Sequence, residues 1–439
     1  MANHIGAPLI TIPGIRESLK DMIENGAEIQ GNAACYFSGL SNAVENSASL
    51  TLVPNNSQEG NIKAMTPGIG SENFIFQRNT SATRINKDGI EVVGNNIARL
   101  DYSNGDCPEI LIEPQATNLV QSNYTEPYSD NLANASEITY FQDSPFSEDI
   151  PNAVSEGMAI SSLFRRYEYV FSENQLEEGQ IYTFSWYTKR LQEPNLEFVG
   201  DFQFSSPINI EVGNPIQIES DINGFNRFQV NFTVIDENEL SRFRAYYGRA
   251  NGDDDVVRIL YAGMQIEEGE NATSVILTNG TIATRNADII QPLLNVPELI
   301  GQSEGSVFID TVLLRTGRIF VLGVNNNEFL CDFDTSGRMR LIFRKDGNIF
   351  NTLRTSINQF TGRVKILCVY SNGFLKLYVN GILIDEQTPL DTFPVFNNYT
   401  ILGSTLGGNS IITNHLPIKS TYLFKTALSD EEAINLTTI

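Results

Sequence analysis

The chain has 439 residues, 41% of them hydrophobic, and a formal net charge of −24 from 53 acidic against 29 basic side chains. That length predicts about three domains, and the apolar fraction supports packed cores, which excludes wholesale disorder. The charge excludes binding a nucleic acid through its phosphates, which needs concentrated Lys and Arg. No run of roughly 18 apolar residues exists, so no membrane insertion is expected. The start, MANHIGAPLITIPGIRESL, lacks a basic n-region followed by a long apolar core, so synthesis without a signal peptide, in a cytoplasm, is expected.

Residues 1–70 read as an N-terminal attachment region. Residues 14–26 predict one short amphipathic helix, because Ile15, Leu19, Met22 and Ile23 share a face and Asn25-Gly26 is a C-terminal stop. A helix of this length needs something to pack on, either this chain's own sandwich or a partner. Residues 71–122 read as an extended connector, or collar. Lys87-Asp88-Gly89 and Asn104-Gly105-Asp106 carry turn chemistry, and short apolar pieces of strand length around Ile90, Leu100 and Ile110 lie between and after them. Glu113-Pro114 closes the connector, since proline removes a ladder donor.

Residues 123–290 change to an all-β pattern. Tyr182, Phe184 and Trp186 alternate with Thr183, Ser185 and Tyr187, and Phe228, Val230, Phe232 and Val234 alternate with Gln229, Asn231 and Thr233. Phe243, Ala245 and Tyr247 alternate with Arg242, Arg244 and Tyr246. Period-two runs between Gly, Asn and Asp turns predict a half-buried antiparallel sandwich. Residues 291–439 predict a second sandwich, with hairpin turns at Asp346-Gly347 and Asn380-Gly381 and a capping box of Ser429 and Glu432 opening one short terminal helix. The expected fold class is therefore mainly β: a small N-terminal anchor followed by two antiparallel β-sandwiches.

Several stretches resemble phage virion structural proteins of tail or fibre type. The connector does so through Ala82-Thr83-Arg84, Gly89, Asn96, Arg99-Leu100-Asp101-Tyr102, Cys107-Pro108, Leu111, Glu113-Pro114 and Thr117-Asn118-Leu119. A second stretch, Gly263, Gln265-Ile266-Glu267, Gly269, Ala272-Thr273-Ser274 and Ile276, resembles the closing strand of their carbohydrate-binding jelly roll, and the match ends on Ala283-Thr284-Arg285-Asn286-Ala287-Asp288. Residues 376–384 resemble a strand pair of laminin-G and concanavalin-like sandwiches. The resemblance implies a jelly roll at 123–290, a concanavalin-like sandwich at 291–439, and a place in the virion after synthesis in the host cytoplasm. It further implies other virion proteins as partners through residues 1–70, a homo-oligomer of trimeric type, and host-surface glycan as a ligand. No heptad supports the trimer independently. Arg84, Arg99 and Glu113 are expected to tie the connector down by charged hydrogen bonds.

The chemistry available is sparse. His4 and His415 are the two histidines of the chain, and no nucleophile elbow, Walker loop or dinucleotide fingerprint is present, so no catalytic residue and no cofactor are assigned. A polysaccharide depolymerase using a carboxylate pair assembled in space is the enzymatic alternative, and a purely structural virion component is the other. Cys35, Cys107, Cys331 and Cys368 lack metal-ligand spacing and read as reduced, buried thiols. Asp253-Asp254-Asp255 reads as a solvated turn, with a calcium loop as the alternative. A glycan site needs an aromatic face and flanking planar polar groups. With Phe184, Trp186, Phe228 and Phe232 in the core, the opposite faces offer Tyr187, Lys189, Gln229, Asn231, Arg244 and Tyr246 as the carbohydrate-binding set.

Overall fold

The computed structural model describes residues 47–439 apart from 53, 55–59, 67–69, 106–107, 122–137, 140–144, 147–153, 160–164, 171–174, 191–201, 205–209, 215, 236–241, 248–256, 291–292, 295–296, 314–316, 325 and 402–415. The expected helix at 14–26, the Asp253-Asp254-Asp255 run, Cys35, Cys107, His4 and His415 lie outside the described residues. The fold is mainly β, as expected, with antiparallel pairing throughout its named strands and one described helix, Asp430–Thr437.

The chain forms two compact units that interleave in sequence. One holds residues 1–79, 95–114 and 287–439, and the other holds residues 80–94 and 115–286. This division differs from four consecutive segments at 1–70, 71–122, 123–290 and 291–439. Residues expected in the attachment region and the connector instead supply strands to both units.

In the first unit an 11-stranded and a six-stranded antiparallel sheet enclose the core. The strand Leu50–Leu52 pairs with Leu416–Phe424, placing Leu50 opposite Leu423, and then with Asn61–Thr66, which pairs with Gly70–Gln77. Leu50, Leu52, Ile62, Phe74 and Phe76 are each at most 2% exposed and share the core with Ile309, Ile366, Leu377, Phe329 and Phe343. At about 1.5–3 kcal/mol per fully buried large apolar side chain, these N-terminal strands are part of the C-terminal sandwich. Tyr370 and Phe329 pack with ring centroids 4.9 Å apart, and the Tyr370 hydroxyl donates to the Gly301 carbonyl at 2.7 Å.

Local signals in the sequence hold closely here. Asp346 and Asn380 adopt positive φ of 49° and 50°, followed by Gly347 and Gly381 at 80° and 78°, as two-residue hairpins require. Ser429 caps the helix, its side chain accepting from the Glu432 N–H while Glu432 accepts from the Ser429 N–H. The helix then covers Phe308, Leu367 and Tyr422 on the outer side of the larger sheet. Cys331 and Cys368, one from each sheet, are free and buried, and burial foremost, then the neighbouring Cys368 thiol, pushes the Cys331 thiol well above its ordinary range.

The collar residues build a buried charge cluster in this unit. Arg99 donates to Glu113 at 2.6 Å and to Asp288, while Arg78 donates to the other Asp288 oxygen at 2.8 Å. All four side chains have 0% exposure. The backbone closes the same knot, with Asp288 N–H donating to the Glu113 carbonyl and Glu113 N–H donating to the Asp288 carboxylate, both at 2.9 Å. Burial opposes the charge on Arg99, but Asp288 and Glu113 outweigh it and hold its pKa above the ordinary value. The expected role of Arg99 and Glu113 is thereby met. Arg84 instead pairs with Glu91 inside its own hairpin.

The second unit holds a seven-stranded and a three-stranded sheet, one hairpin of Ala82–Asn86 with Gly89–Val93, and one short pair of Ala116–Asn118 with Ala283–Arg285. Its centre is the strand Ile181–Arg190, flanked by Phe225–Val234 and Val257–Glu268.

Removing one partner from a buried charge set leaves the others uncompensated, at a cost of about 3–5 kcal/mol. Asp288→Ala is expected to destabilise the first unit by that amount, read as a shifted denaturant midpoint. A loss below about 1 kcal/mol would show that the cluster contributes little.

Candidate functional site

The face expected to carry the glycan site is the polar side of the seven-stranded sheet. On the other side the aromatic register is as expected: Tyr182 lies opposite Phe232 and Trp186 opposite Phe228. Trp186 is 1% exposed and stacks on Phe184 at 5.0 Å and on Phe228 at 5.8 Å, so it is core.

The polar side is built from three adjacent strands. Asn231, Thr183 and Glu267 form one cross-strand row, and Gln229, Ser185 and Gln265 form the next. Arg227 sits opposite Tyr187, its guanidinium 5.3 Å from the ring centroid. These are the planar polar groups that sugar recognition calls for, but residues 270–276 of the same chain lie over them. Gln229 accepts from the Ala272 N–H at 2.9 Å and donates to the Glu270 carbonyl at 3.3 Å, and Asn231 donates to that carbonyl at 2.8 Å. Arg227 donates to the Thr273 carbonyl at 2.7 Å and to Ser185 at 3.1 Å. Gln265 accepts from the Ile276 N–H at 2.7 Å and donates to Glu267 at 2.5 Å. Glu267 also accepts from the Thr273 N–H at 2.9 Å and its hydroxyl at 2.5 Å.

Tyr187 and Gln229 are therefore not surface groups, being 1% and 4% exposed. The register shifts between Ser185 and Tyr187, with the extra residue on the strand Val257–Glu268, and Tyr187 is packed in a cluster with Phe146, Phe225, Leu260 and Val275. Gly263 in this irregularity has φ +61°, and a Cβ there would sit 3.0 Å from the Tyr187 ring. Lys189 is half-buried; its ammonium donates to the Asn223 carbonyl at 3.0 Å and lies 5.8 Å from the Phe225 ring centroid. Asn231 is also half-buried. Arg244 and Tyr246 lie on the strand Arg242–Tyr247 of the three-stranded sheet, apart from the other four, and their side chains are outside what is described. The six residues thus do not converge as one open site. Period two showed that the two faces differ, but gave no signal that residues 270–276 fold back over the polar one.

The other stretches singled out in the sequence act in the same way. Asn118, 0% exposed, donates to the Met264 and Ile276 carbonyls and accepts from the Val120 and Ile266 N–H groups. Thr83 donates to the Val275 carbonyl at 2.5 Å, and Arg285, 1% exposed, donates to the Ser274 hydroxyl at 2.8 Å. Beside these contacts a groove of about 260 Å³ opens, lined by residues 80–83, Val92, residues 275–277 and residues 283–285. Its lining holds hydroxyls, aliphatic side chains and Arg285 but no aromatic ring on which a sugar could stack. Among the described residues no cluster of His, Cys, Asp and Glu is arranged to hold a metal ion.

No family model and no curated protein matches the chain. Among solved structures it is similar to the CBM40 module of the Ruminococcus gnavus IT-sialidase bound to α2,3-sialyllactose, at 18% identity over 32% of this chain and 84% of that one, with a TM-score of 0.29. It is also similar to a leech intramolecular trans-sialidase, at 20% identity over 32% of this chain and 24% of that one, TM-score 0.28. A third similar structure is the binding domain of botulinum neurotoxin serotype D, at 16% identity over 34% of this chain and 39% of that one, TM-score 0.27.

Two outcomes check the polar face. Tyr187→Ala is expected to destabilise the second unit by about 3–5 kcal/mol, as a large-to-small core change does; a folded, equally stable variant would return Tyr187 to the list of binding groups. Burial, its leading influence, raises the Glu267 pKa above its ordinary 4.5. The folded state therefore holds that proton more tightly than the unfolded chain, so the contribution of Glu267 is fully present below that value and is lost as pH rises through the elevated pKa. Glu267→Ala is expected to remove this slope from a melting-temperature profile above pH 4.5, and an unchanged slope would count against it.

Proposed function

We propose that this chain is a structural protein of a bacteriophage virion, in a tail, fibre or head appendage, that displays its β-sandwiches for contact with host-surface glycan. The observation that supports this reading most is the use made of the residues that resemble phage proteins. Arg99, Glu113, Asn118, Gln265, Glu267 and Asp288 are each at most 2% exposed and fasten strands to one another. Residues spent on fastening suit a rigid carrier whose outer surfaces are free to vary. The acidic surface suits exposure beside other polyanions without binding them. In this reading the carrier assembles as a homo-oligomer, with a trimer as the first state to test, and attaches to other virion proteins through its N-terminal region. It calls for no catalysis.

A second reading, a spacer that touches virion proteins alone, is favoured by one finding: the covered polar face removes Tyr187 and Gln229 from any ligand. A depolymerase is the third. An array of host-surface glycans probed with the purified chain, with reducing-end release measured on host capsule, separates them. Binding without release is expected. Release would replace the carrier with an enzyme, and neither binding nor release would leave the spacer.

A further inference from the structure

We propose that the outer face of the six-stranded sheet binds an anionic sugar substituent, a carboxylate or a sulfate, at Arg340 and Arg354. The inference rests on the glycan-display reading above and names both a ligand chemistry and a place for it.

The register sets out the charges. Arg318 lies opposite Asp332, Asp332 opposite Arg340, and Arg340 opposite Arg354, one row across four neighbouring strands. Side chains alternate along a strand, and the next row, Phe320, Cys331, Leu341 and Leu353, is in the core. The charged row therefore faces outward. Both Asp332 oxygens are taken by Arg340, whose Nε and Nη2 donate at 2.8 and 2.7 Å. Arg354, at the end of the strand Asn348–Arg354, is exposed, and among the described residues it has no hydrogen-bond or ion-pair partner.

Two like charges directly opposite on neighbouring strands are destabilising. Here Asp332 is already engaged by Arg340, which also lies 3.7 Å from Asp334, so neither carboxylate is left for Arg354. Arg338 just before this row is likewise occupied by Asp334 at 3.1 Å. The face consequently carries an excess of guanidinium on a chain of net charge −24. Arg340 is held in place by its bidentate partner, so part of the donor set is preorganised and loses little entropy on binding. A planar carboxylate or a sulfate matches guanidinium donors and offsets the like-charge contact. The overall negative charge disfavours a continuous polyanion such as nucleic acid, whereas a saccharide with isolated acidic groups meets a local positive patch.

The test titrates the intact chain with three tetrasaccharides, one bearing glucuronate, one sulfated and one neutral, and repeats it with Arg354→Gln. Among the described residues no hydrogen bond or ion pair uses the Arg354 side chain, so the variant is expected to melt at or slightly above the parent temperature. At least one acidic tetrasaccharide is expected to bind, to weaken as salt is added, and to lose about tenfold in affinity in the variant, which corresponds to about 1.4 kcal/mol. The two acidic arms distinguish carboxylate from sulfate. Acidic binding that Arg354→Gln leaves unchanged would overturn the site. Binding of the neutral tetrasaccharide alone would overturn the inference and leave the display reading standing. Failure to bind any of the three, together with a blank glycan array, would overturn both.

Discussion

Two guanidinium groups and two carboxylates, sealed from water at Arg78, Arg99, Glu113 and Asp288, are the constraint on which the first unit depends. Each charge alone would be too costly to bury, and together they neutralise and hydrogen-bond one another. Asp288 comes from a distant part of the chain, 210 positions beyond Arg78. Their pairing therefore fixes where the strand ending at Gln77, the collar strands and the start of the C-terminal region meet. Arg78 reinforces this locally, its N–H donating to the Asn96 side chain at 3.0 Å. A partial set would be worse than an apolar one, since the remaining charges would be buried without partners.

The second unit solves the same problem mainly with amides. Asn118 and Gln265 have both a donor and an acceptor, so each can bridge strands whose backbone groups point in opposite senses. Glu267 accepts where three donors converge. The chain enters the closing segment through Gly269, whose φ of +109° favours glycine, and Gly263, at φ +61°, leaves room for the Tyr187 ring. Polar side chains suited to recognising a sugar recognise the protein's own backbone instead, since both present the same kinds of donors and acceptors.

This arrangement places the recognisable residues inside and leaves function to surfaces that carry no signature. The buried charges of Arg78, Arg99, Glu113 and Asp288 neutralise one another. On the outer face of the six-stranded sheet, Arg340 and Arg354 face each other across neighbouring strands, and the nearby carboxylates Asp332 and Asp334 both lie against Arg340. The interior set serves rigidity, and the surface imbalance is what a ligand could exploit.

The sequence by itself determined the elements. Period-two alternation placed Trp186 and Phe184 in the core, turn residues located the hairpins at Asp346-Gly347 and Asn380-Gly381, and the Ser429–Glu432 spacing located the helix start. These features arise from contacts between near neighbours, or from a side-chain period that any single strand displays. Tertiary structure alone decided that the strands Leu50–Leu52, Asn61–Thr66 and Gly70–Gln77 belong to the C-terminal sandwich, and that Tyr187 and Gln229 are covered. Both depend on which distant segment packs against a given edge or face. Alternation states that a strand has two unlike faces, but the free energy of closing long loops and burying the matching surfaces chooses their partners.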